Sequence, residues 1–437
     1  LFAGLRRLNV PVVELKDVAK SVFTGITPKS GGDAYTMDRQ TGIPFVRSGE
    51  ITEDGLVVEE TEICLKPEVH NGIMRRSRLR KGDVLIAIVG ATIGQTGIYN
   101  RDAEANINQA IAGVRLDNRQ LLPEYLVAFL KTPTGQAILD FLKRPVARAN
   151  INLDEIGSIV VPLPSPDRQT ALLRPLEIAR GEMLRQLAQA NALLNGIDDL
   201  VLAELALPKP AADGRLAYAV RLNGIRARLN PDYYHPERVL SVRVIEQAKG
   251  TLRAARLEEI ADFMRDIVKV SEDEPYLGLA SIEPNTGELT GQDETAKGLA
   301  FTFRKDDVLF SRLRPYLNKV RRAEEPGTCS TEFHVIRIKK GLPCPVLPEY
   351  LACVLRSSPI LAQTRRMMTG NTHPRLANED VVNLVVPIPD EKAQRRIVDD
   401  VAKRKEEVRR ARAEAVAGWA AALAAFEAKL IGNAGKA

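Results

Sequence analysis

The chain repeats itself at one constant spacing. Leu121-Leu122-Pro123-Glu124-Tyr125-Leu126-Val127-Ala128-Phe129-Leu130 returns as Val346-Leu347-Pro348-Glu349-Tyr350-Leu351-Ala352-Cys353-Val354-Leu355. Farther along, Asp154-Glu155-Ile156-Gly157-Ser158-Ile159-Val160-Val161-Pro162-Leu163-Pro164 returns as Glu379-Asp380-Val381-Val382-Asn383-Leu384-Val385-Val386-Pro387-Ile388-Pro389. Pro123 and Pro348 are 225 residues apart, and so are Pro162 and Pro387. A shared offset across two separate blocks means that one folding unit is used twice. A period this long indicates a duplicated domain, because solenoid repeats run to only about 20–50 residues. A chain of 437 residues is also too long for a single core.

Weaker correspondences extend the repeat. Val12–Ala19 is related to Arg256–Ala261, and Ile43–Ile51 to Glu274–Ile282, each of the latter pair followed by a turn with glycine (Gly55, Gly287). Lys81-Gly82-Asp83-Val84-Leu85-Ile86-Ala87 parallels Lys305-Asp306-Asp307-Val308-Leu309-Phe310-Ser311, and Ile111–Leu116 parallels Phe333–Ile338. A tight turn feeding an apolar, β-branched run reads as a buried strand. Each half is therefore several short strands, then the Pro-Glu-Tyr-Leu helix, then a Val-Val-Pro strand. Without regular βαβ alternation this is an α+β fold.

A long helical tail closes each half. Leu173, Leu176, Met183, Leu187, Ala190, Leu194, Ile197 and Val201 step by three and four, with Arg180 as a polar exception. Val398, Val401, Val408, Ala415, Trp419, Ala422 and Phe426 do the same, with Lys405 and Arg412 as exceptions. Such heptads predict a coiled-coil pair joining the two domains. Pro175 is expected to kink the first helix, since it removes a backbone donor. Leu207-Pro208-Lys209-Pro210-Ala211-Ala212-Asp213-Gly214 reads as a linker.

The chemistry of catalysis is hard to find. Asn230-Pro231-Asp232-Tyr233 is similar to the Asn-Pro-Pro-Tyr signature of amino-methyltransferases, but its third residue is Asp and no Gly-rich cofactor fingerprint accompanies it. Gly90-Ala91-Thr92-Ile93-Gly94-Gln95-Thr96-Gly97 lacks the Gly-Lys-Ser/Thr of a phosphate loop, and the second half carries Arg314-Pro315-Tyr316-Leu317-Asn318-Lys319 there. His70, His235, His334 and His373 are scattered, and Cys64, Cys329, Cys344 and Cys353 have no metal spacing, so reduced thiols are expected. His334 is expected to pack within a strand. No apolar run approaches the roughly 20 residues of a membrane span. No signal peptide is visible, and a chain beginning at Leu1 is expected to lack its true N-terminus.

Basic, polar loops remain. Arg75, Arg76, Arg78, Arg80 and Lys81 precede the first copy's central strand, and Arg312, Arg314, Lys319, Arg321 and Arg322 follow the second's. Arg148-Ala149-Asn150-Ile151-Asn152 and Gly370-Asn371-Thr372-His373-Pro374-Arg375 occupy one loop of each copy, just before the Val-Val-Pro strand. Arg, Asn and Gln read base edges in the major groove, and Lys and Arg hold phosphates. A net charge of +6 leans the same way. For any one residue a solvated surface is the simpler explanation. Polar loops that vary between copies on a shared scaffold point to recognition.

In motif order the chain resembles the specificity (S) subunit of type I restriction–modification systems. The matching features are Gly82–Ala87 with Gly90-Ala91-Thr92-Ile93-Gly94, then Pro123-Glu124-Tyr125-Leu126, then Val161-Pro162-Leu163-Pro164 and Gln169 before a long helix, repeated as far as Gln394. The resemblance implies two target-recognition domains (1–165 and 237–389), each followed by a long helix (166–206 and 390–432), with a linker at 207–236. The helices would pack as an antiparallel coiled-coil rod. It implies a non-catalytic reader of a bipartite, asymmetric double-stranded DNA site in a bacterial or archaeal cytoplasm. The reader would dock two adenine-methyltransferase subunits, and through them restriction or translocase subunits. No cofactor or metal would bind directly; S-adenosylmethionine would belong to the methyltransferase.

On this reading the candidate DNA contacts are Lys29, Arg47, Arg75, Arg76, Arg78, Thr92, Gln95, Arg148, Asn150 and Asn152 in the first half. In the second they are Arg312, Arg314, Tyr316, Asn318, Lys319, Asn371, His373 and Arg375. The helix pair would be held by Leu173, Leu176, Met183, Leu187, Leu194, Ile197, Val401, Val408, Trp419 and Phe426. Two alternatives share the sequence features: the reader of a related phage-defence or solitary methylation system without restriction, and a protein–protein adaptor whose helices are the functional part.

Overall fold

The structure is a computed structural model. It describes residues 10–431 except 30–32, 37, 53, 59, 62, 91, 118, 144–149, 211–216, 222–224, 226–228, 249–251, 272, 292–293 and 371–372. It divides into two compact units, residues 1–187 with 413–437, and residues 188–412. Each long helix contributes one part to each unit.

The first unit contains strands β1 (Val12–Glu14), β2 (Ala19–Thr24), β3 (Asp83–Ala87), β4 (Thr96–Tyr99), β5 (Ile111–Leu116) and β6 (Val160–Pro162). Its helices include α1 (Pro123–Lys131), α2 (Pro133–Leu142), α3 (Leu153–Gly157) and the first part of α4 (Pro166–Glu204). An antiparallel sheet runs in the order β2-β5-β3-β4, and β1 pairs with β6. All five residues of β3 are buried, because both faces of this sheet are covered. Val84 and Ile86 pack with Tyr125, Leu126 and Phe129 of α1, while Leu85, one residue out of phase, joins Val46, Tyr99 and Ile107 on the other side. That second face is closed by a smaller sheet built from Tyr35–Thr36, Ile43–Val46, Cys64–Leu65, Arg78–Leu79 and Ala105–Ile107. Pro123 starts α1 at the position where a missing N–H costs nothing.

The second unit contains β7 (Arg253–Arg256), β8 (Ala261–Met264), β9 (Val308–Ser311), β10 (Val320–Arg322), β11 (Phe333–Ile338) and β12 (Val385–Ile388). Its helices include α5 (Pro236–Glu246), α6 (Pro348–Val354), α7 (Ser358–Arg365), α8 (Asn378–Val381) and the first part of α9 (Glu391–Ile431). The central sheet has the order β8-β11-β9-β10 and β7 pairs with β12, the topology of the first unit. A three-stranded sheet (Ile267–Val270, Gly298–Phe303, Gly327–Ser330) covers its second face.

Buried polar side chains repeat as faithfully as the strands. Gln169 donates to the carbonyls of Gln120 (2.6 Å) and Pro164 (2.8 Å) and accepts from Leu122 N (2.9 Å). Gln394 does the same with Pro345 (2.8 Å), Pro389 (2.9 Å) and Leu347 (2.9 Å). The hydroxyl of Tyr125 donates to Pro162 O and that of Tyr350 to Pro387 O, which ties each Pro-Glu-Tyr-Leu helix to its Val-Val-Pro strand. Arg115 forks onto Asp83 (2.8 and 2.6 Å) and Arg337 onto Asp307 (2.7 and 2.6 Å).

Within each unit the helix segments run antiparallel. In the first, Leu172, Leu173 and Leu176 share a core with Phe426 and Leu430. In the second, Val201 and Leu202 share one with Ile397 and Val401, Arg396 pairs with Glu204 (3.4 Å), and Arg404 donates to Gly196 O (3.1 Å). Leu173, Leu176, Met183, Val401, Val408 and Phe426 are buried; Leu187, Leu194, Ile197 and Trp419 are half-buried. Helix α4 continues through Pro175, which is exposed. One expectation needs correction. Lys405 and Arg412 are not interruptions of a seam. Lys405 donates to Glu288 (2.6 Å) and Thr286 O (2.8 Å), and Arg412 to Glu283 (3.1 Å), so both grip the turn around Gly287. A heptad pattern considers only the partner helix, whereas here the recognition domain supplies the carboxylates.

Candidate nucleic-acid interface

In each unit the two polar loops lie side by side. Val89 bridges to Asn150 in the first, and Leu313 to Arg375 in the second. Ile151 N donates to Ile88 O (3.0 Å), as Leu376 N does to Arg312 O (3.0 Å). The turn after β3 and the turn after β9 also share a backbone. Ala87 N donates to Gln95 O and Ser311 N to Lys319 O; Ile93 N donates to Gly90 O and Leu317 N to Arg314 O. Two positions in each turn are left-handed: Gly90 (φ +86°) and Gly94 (φ +93°), against Arg314 (φ +48°) and Asn318 (φ +54°). The divergent sequences therefore hide one and the same turn. Glycine takes this backbone freely and asparagine tolerates it, but at Arg314 it costs about 1–2 kcal/mol.

Pairing sorts the candidate contacts. Arg312, Arg314 and Tyr316 are exposed, and no described carboxylate pairs with either guanidinium. Arg75 and Arg76 are likewise exposed on a short helical turn, Arg75–Ser77. That turn is braced from beneath: Asn106 donates to Met74 O (2.8 Å) and Ser77 Oγ (2.9 Å), and its Oδ1 lies 2.6 Å from His70 Nδ1. A groove of about 710 Å³ separates it from Thr24, Gly25 and Ile26 at the end of β2. Lys29, His373 and Asn150 are exposed, and Thr92 and Gln95 are half-buried.

Other candidates turn inward. Asn318 is buried and donates to Arg356 O (2.9 Å); Lys319 donates to Leu279 O (2.6 Å), and burial lowers its pKa. Arg375 forks onto Glu332 (2.7 and 3.0 Å). Asn152 caps α3 by accepting from Glu155 N (2.7 Å). Arg47 faces Glu50 (3.8 Å), and Arg78 donates to Asn71 Oδ1 (2.6 Å). These six hold the scaffold; a sequence shows that a side chain is basic or amidic but not that a partner already occupies it. Arg148 and Asn371 lie outside the described residues.

The second unit has its own groove, about 320 Å³, at the end of β8, and Arg312 lines it with an exposed arginine that sequence reasoning passed over, Arg265. The available signal was position, since Arg265 follows β8 as Gly25 to Lys29 follow β2. His334 forms part of its floor, between Phe263 and Phe310, with Nε2 3.2 Å from Leu376 O. Burial lowers its pKa to about 4, so the neutral ring donates through Nε2.

The tempting chemical motifs are structural. Asn230 caps the turn Pro231–Tyr234 by accepting from Asp232 N, and the Tyr233 ring lies 3.7 Å beneath the Arg238 guanidinium. Burial pushes the Cys329 thiol up to about 12, which suppresses the nucleophilic thiolate. Among the described residues no cluster of three metal-ligating side chains occurs, and no helix is long and apolar enough to cross a membrane.

Residues 8–181 match the family model described as the type I restriction modification DNA specificity domain. The similarity is confined to that stretch, which is less than half of the chain. A curated relative, the type I restriction enzyme EcoBI specificity subunit of Escherichia coli, is 34% identical over 175 residues, which are 38% of this chain and 35% of the relative. The chain thus spans about a third of the length of the curated relative it matches. Two solved structures align over nearly the whole chain. One, from work on complex assembly and conformational transition of the type I R-M system, is 16% identical, with 98% of each chain covered and a TM-score of 0.47. The other, the HsdS subunit of Thermoanaerobacter tengcongensis, is 15% identical, with 97% of each chain covered and a TM-score of 0.35. The specificity domain matched in the first half is followed by a second copy of its hydrogen-bonded frame, and that copy is read from this chain alone.

Proposed function

We propose that the chain is the DNA-recognition subunit of a type I restriction–modification complex. Each unit reads one half of a bipartite, asymmetric double-stranded site. The long helices dock two adenine-methyltransferase subunits, which bind S-adenosylmethionine and can recruit restriction or translocase subunits. The chain itself performs no catalysis. The supporting observation is a single one: the same frame is used twice, and the exposed, unpaired arginines on it differ between the copies. Two linked copies supply one reader for each half of a site, and being on one chain they are free to diverge. An asymmetric site becomes readable, which a homodimer could not achieve. A pure adaptor would not need unpaired guanidinium groups beside open grooves.

The test is to reconstitute the chain with its methyltransferase and sequence the methylated members of a random duplex library. The expected product is one asymmetric site in two specific parts around an indifferent spacer, with affinity falling steeply as salt rises. Methylation or binding without sequence preference would overturn the proposal and favour the adaptor.

A further inference from the structure

The matched turns differ in what they present. Along the shared backbone, Arg312, Arg314 and Tyr316 stand where the first unit has Ile88, Gly90 and Thr92. Ile88 is buried and Thr92 half-buried, whereas both arginines are exposed and Tyr316 is 45% exposed. Lack of room does not keep the first turn bare, because a Cβ built on Gly90 meets nothing within 4 Å. The reverse holds for the braced Arg75–Ser77 turn: no helical segment like it occurs among the described residues of 271–307, before the corresponding central strand β9.

Resting on the proposed function, we infer that the two units engage DNA through non-equivalent loops. The second unit reads with the turn after β9, where Arg314 forks onto a guanine edge and Tyr316 packs beside it. The first unit reads with Arg75 and Arg76. The argument for a base rather than a phosphate at Arg314 is rigidity. Arg314 N is held by Pro374 O, Leu317 N by Arg314 O, Asn318 N by Pro315 O, and Asn318 Nδ2 by Arg356 O. A phosphate can be met by a mobile cation, but a bidentate fork onto guanine O6 and N7 needs a fixed base of support. A left-handed backbone retained at an arginine, where the sister copy has glycine, is strain of the kind found at binding sites.

The experiment uses the full chain with its methyltransferase and a random duplex library. One variant gives the second turn the first turn's residues, Arg314→Gly with Tyr316→Thr; a second is Arg75→Ala with Arg76→Ala; a third is Arg314→Lys. The first should lower discrimination at a guanine of one half-site by roughly 5- to 150-fold, the span of one base contact, and leave the other half-site unchanged. The second should do the reverse. Lysine should not fully rescue, because it lacks the rigid planar two-nitrogen fork of arginine. Glycine suits the backbone at 314, so thermal unfolding should show an intact fold. If the parent selects a bipartite site but the glycine–threonine variant reads both halves normally or loses both equally, or if lysine restores selectivity in full, the inference is wrong. If the parent selects no site at all, the functional proposal itself fails.

Discussion

The two units differ in a patterned way. Where a side chain holds backbone to backbone, the first and second units carry the same residue: Asp83 and Asp307, Arg115 and Arg337, Gln169 and Gln394, Tyr125 and Tyr350. Where a side chain faces outward from the end of the central sheet, they carry different ones: Gly90 and Arg314, Thr92 and Tyr316. The comparison separates a frame, in which each buried polar atom demands a partner, from a surface that the frame tolerates in any form. It also implies that damage to corresponding frame positions should be equal, and damage to corresponding surface positions unequal.

The largest effect tests the frame. Asp83 and Asp307 are both 1% exposed, each forks with an arginine, and each accepts a backbone N–H, from Arg80 (2.7 Å) and Arg304 (2.8 Å). Asp83→Ala or Asp307→Ala strands a partly buried guanidinium and should cost about 3–5 kcal/mol. Hydrogen exchange should lose protection by the same amount in the unit that carries the substitution, and only there. A loss under about 1 kcal/mol in either unit would show that the duplicated pair is not part of the frame.

A somewhat smaller effect should distinguish the units by pH. His334 occupies the strand position that Ala112 holds in the first unit, since it pairs with Phe310 as Ala112 pairs with Ile86. Its folded pKa, about 4 against the usual 6.5, is lowered chiefly by burial. The folded state therefore binds fewer protons than the unfolded one below pH 6.5, and stability falls as the pH drops from 6.5 to about 4. The full loss is about 3 kcal/mol at 1.36 kcal/mol per pKa unit. Amide exchange followed against pH should show this loss in the second unit, and His334→Phe should flatten it between pH 6.5 and 4. An unchanged slope in that variant would assign the loss to another group.

Much of the architecture could be read in the sequence because the repeat constrains it twice. The Pro-Glu-Tyr-Leu helix, the Val-Val-Pro strand and the long helices all rest on apolar spacing and on proline, which act locally. The surface was read less well, for two physical reasons. The type of a side chain does not say whether it is already engaged: Arg375 and Arg314 look alike in sequence, yet one is forked on Glu332 and the other is unpaired. Nor does it reveal the sign of φ, which is what unites Gly90-Ala91-Thr92-Ile93-Gly94 with Arg314-Pro315-Tyr316-Leu317-Asn318. Arg265 was missed because nothing in its neighbourhood is periodic, and only the placement of β8 brings it to the groove with Arg312.

The smallest effect bears on that shared turn most directly. At Gly90 an added Cβ has open space, so Gly90→Ala is penalised by backbone conformation alone, about 1 kcal/mol. At Arg314 the substitution runs the other way. Arg314→Gly relieves the left-handed strain at φ +48° while keeping the N–H bond to Pro374 O (2.8 Å). Greater freedom of glycine in the unfolded chain offsets part of the gain. The net change should lie between zero and about 1 kcal/mol of stabilisation, opposite in sign to the effect at Gly90. Thermal unfolding of the two single variants, set against the parent, measures both. If Arg314→Gly were instead destabilising, the Arg314 side chain would belong to the frame, and the division between a fixed frame and a free surface would fail at the position where the two units differ most.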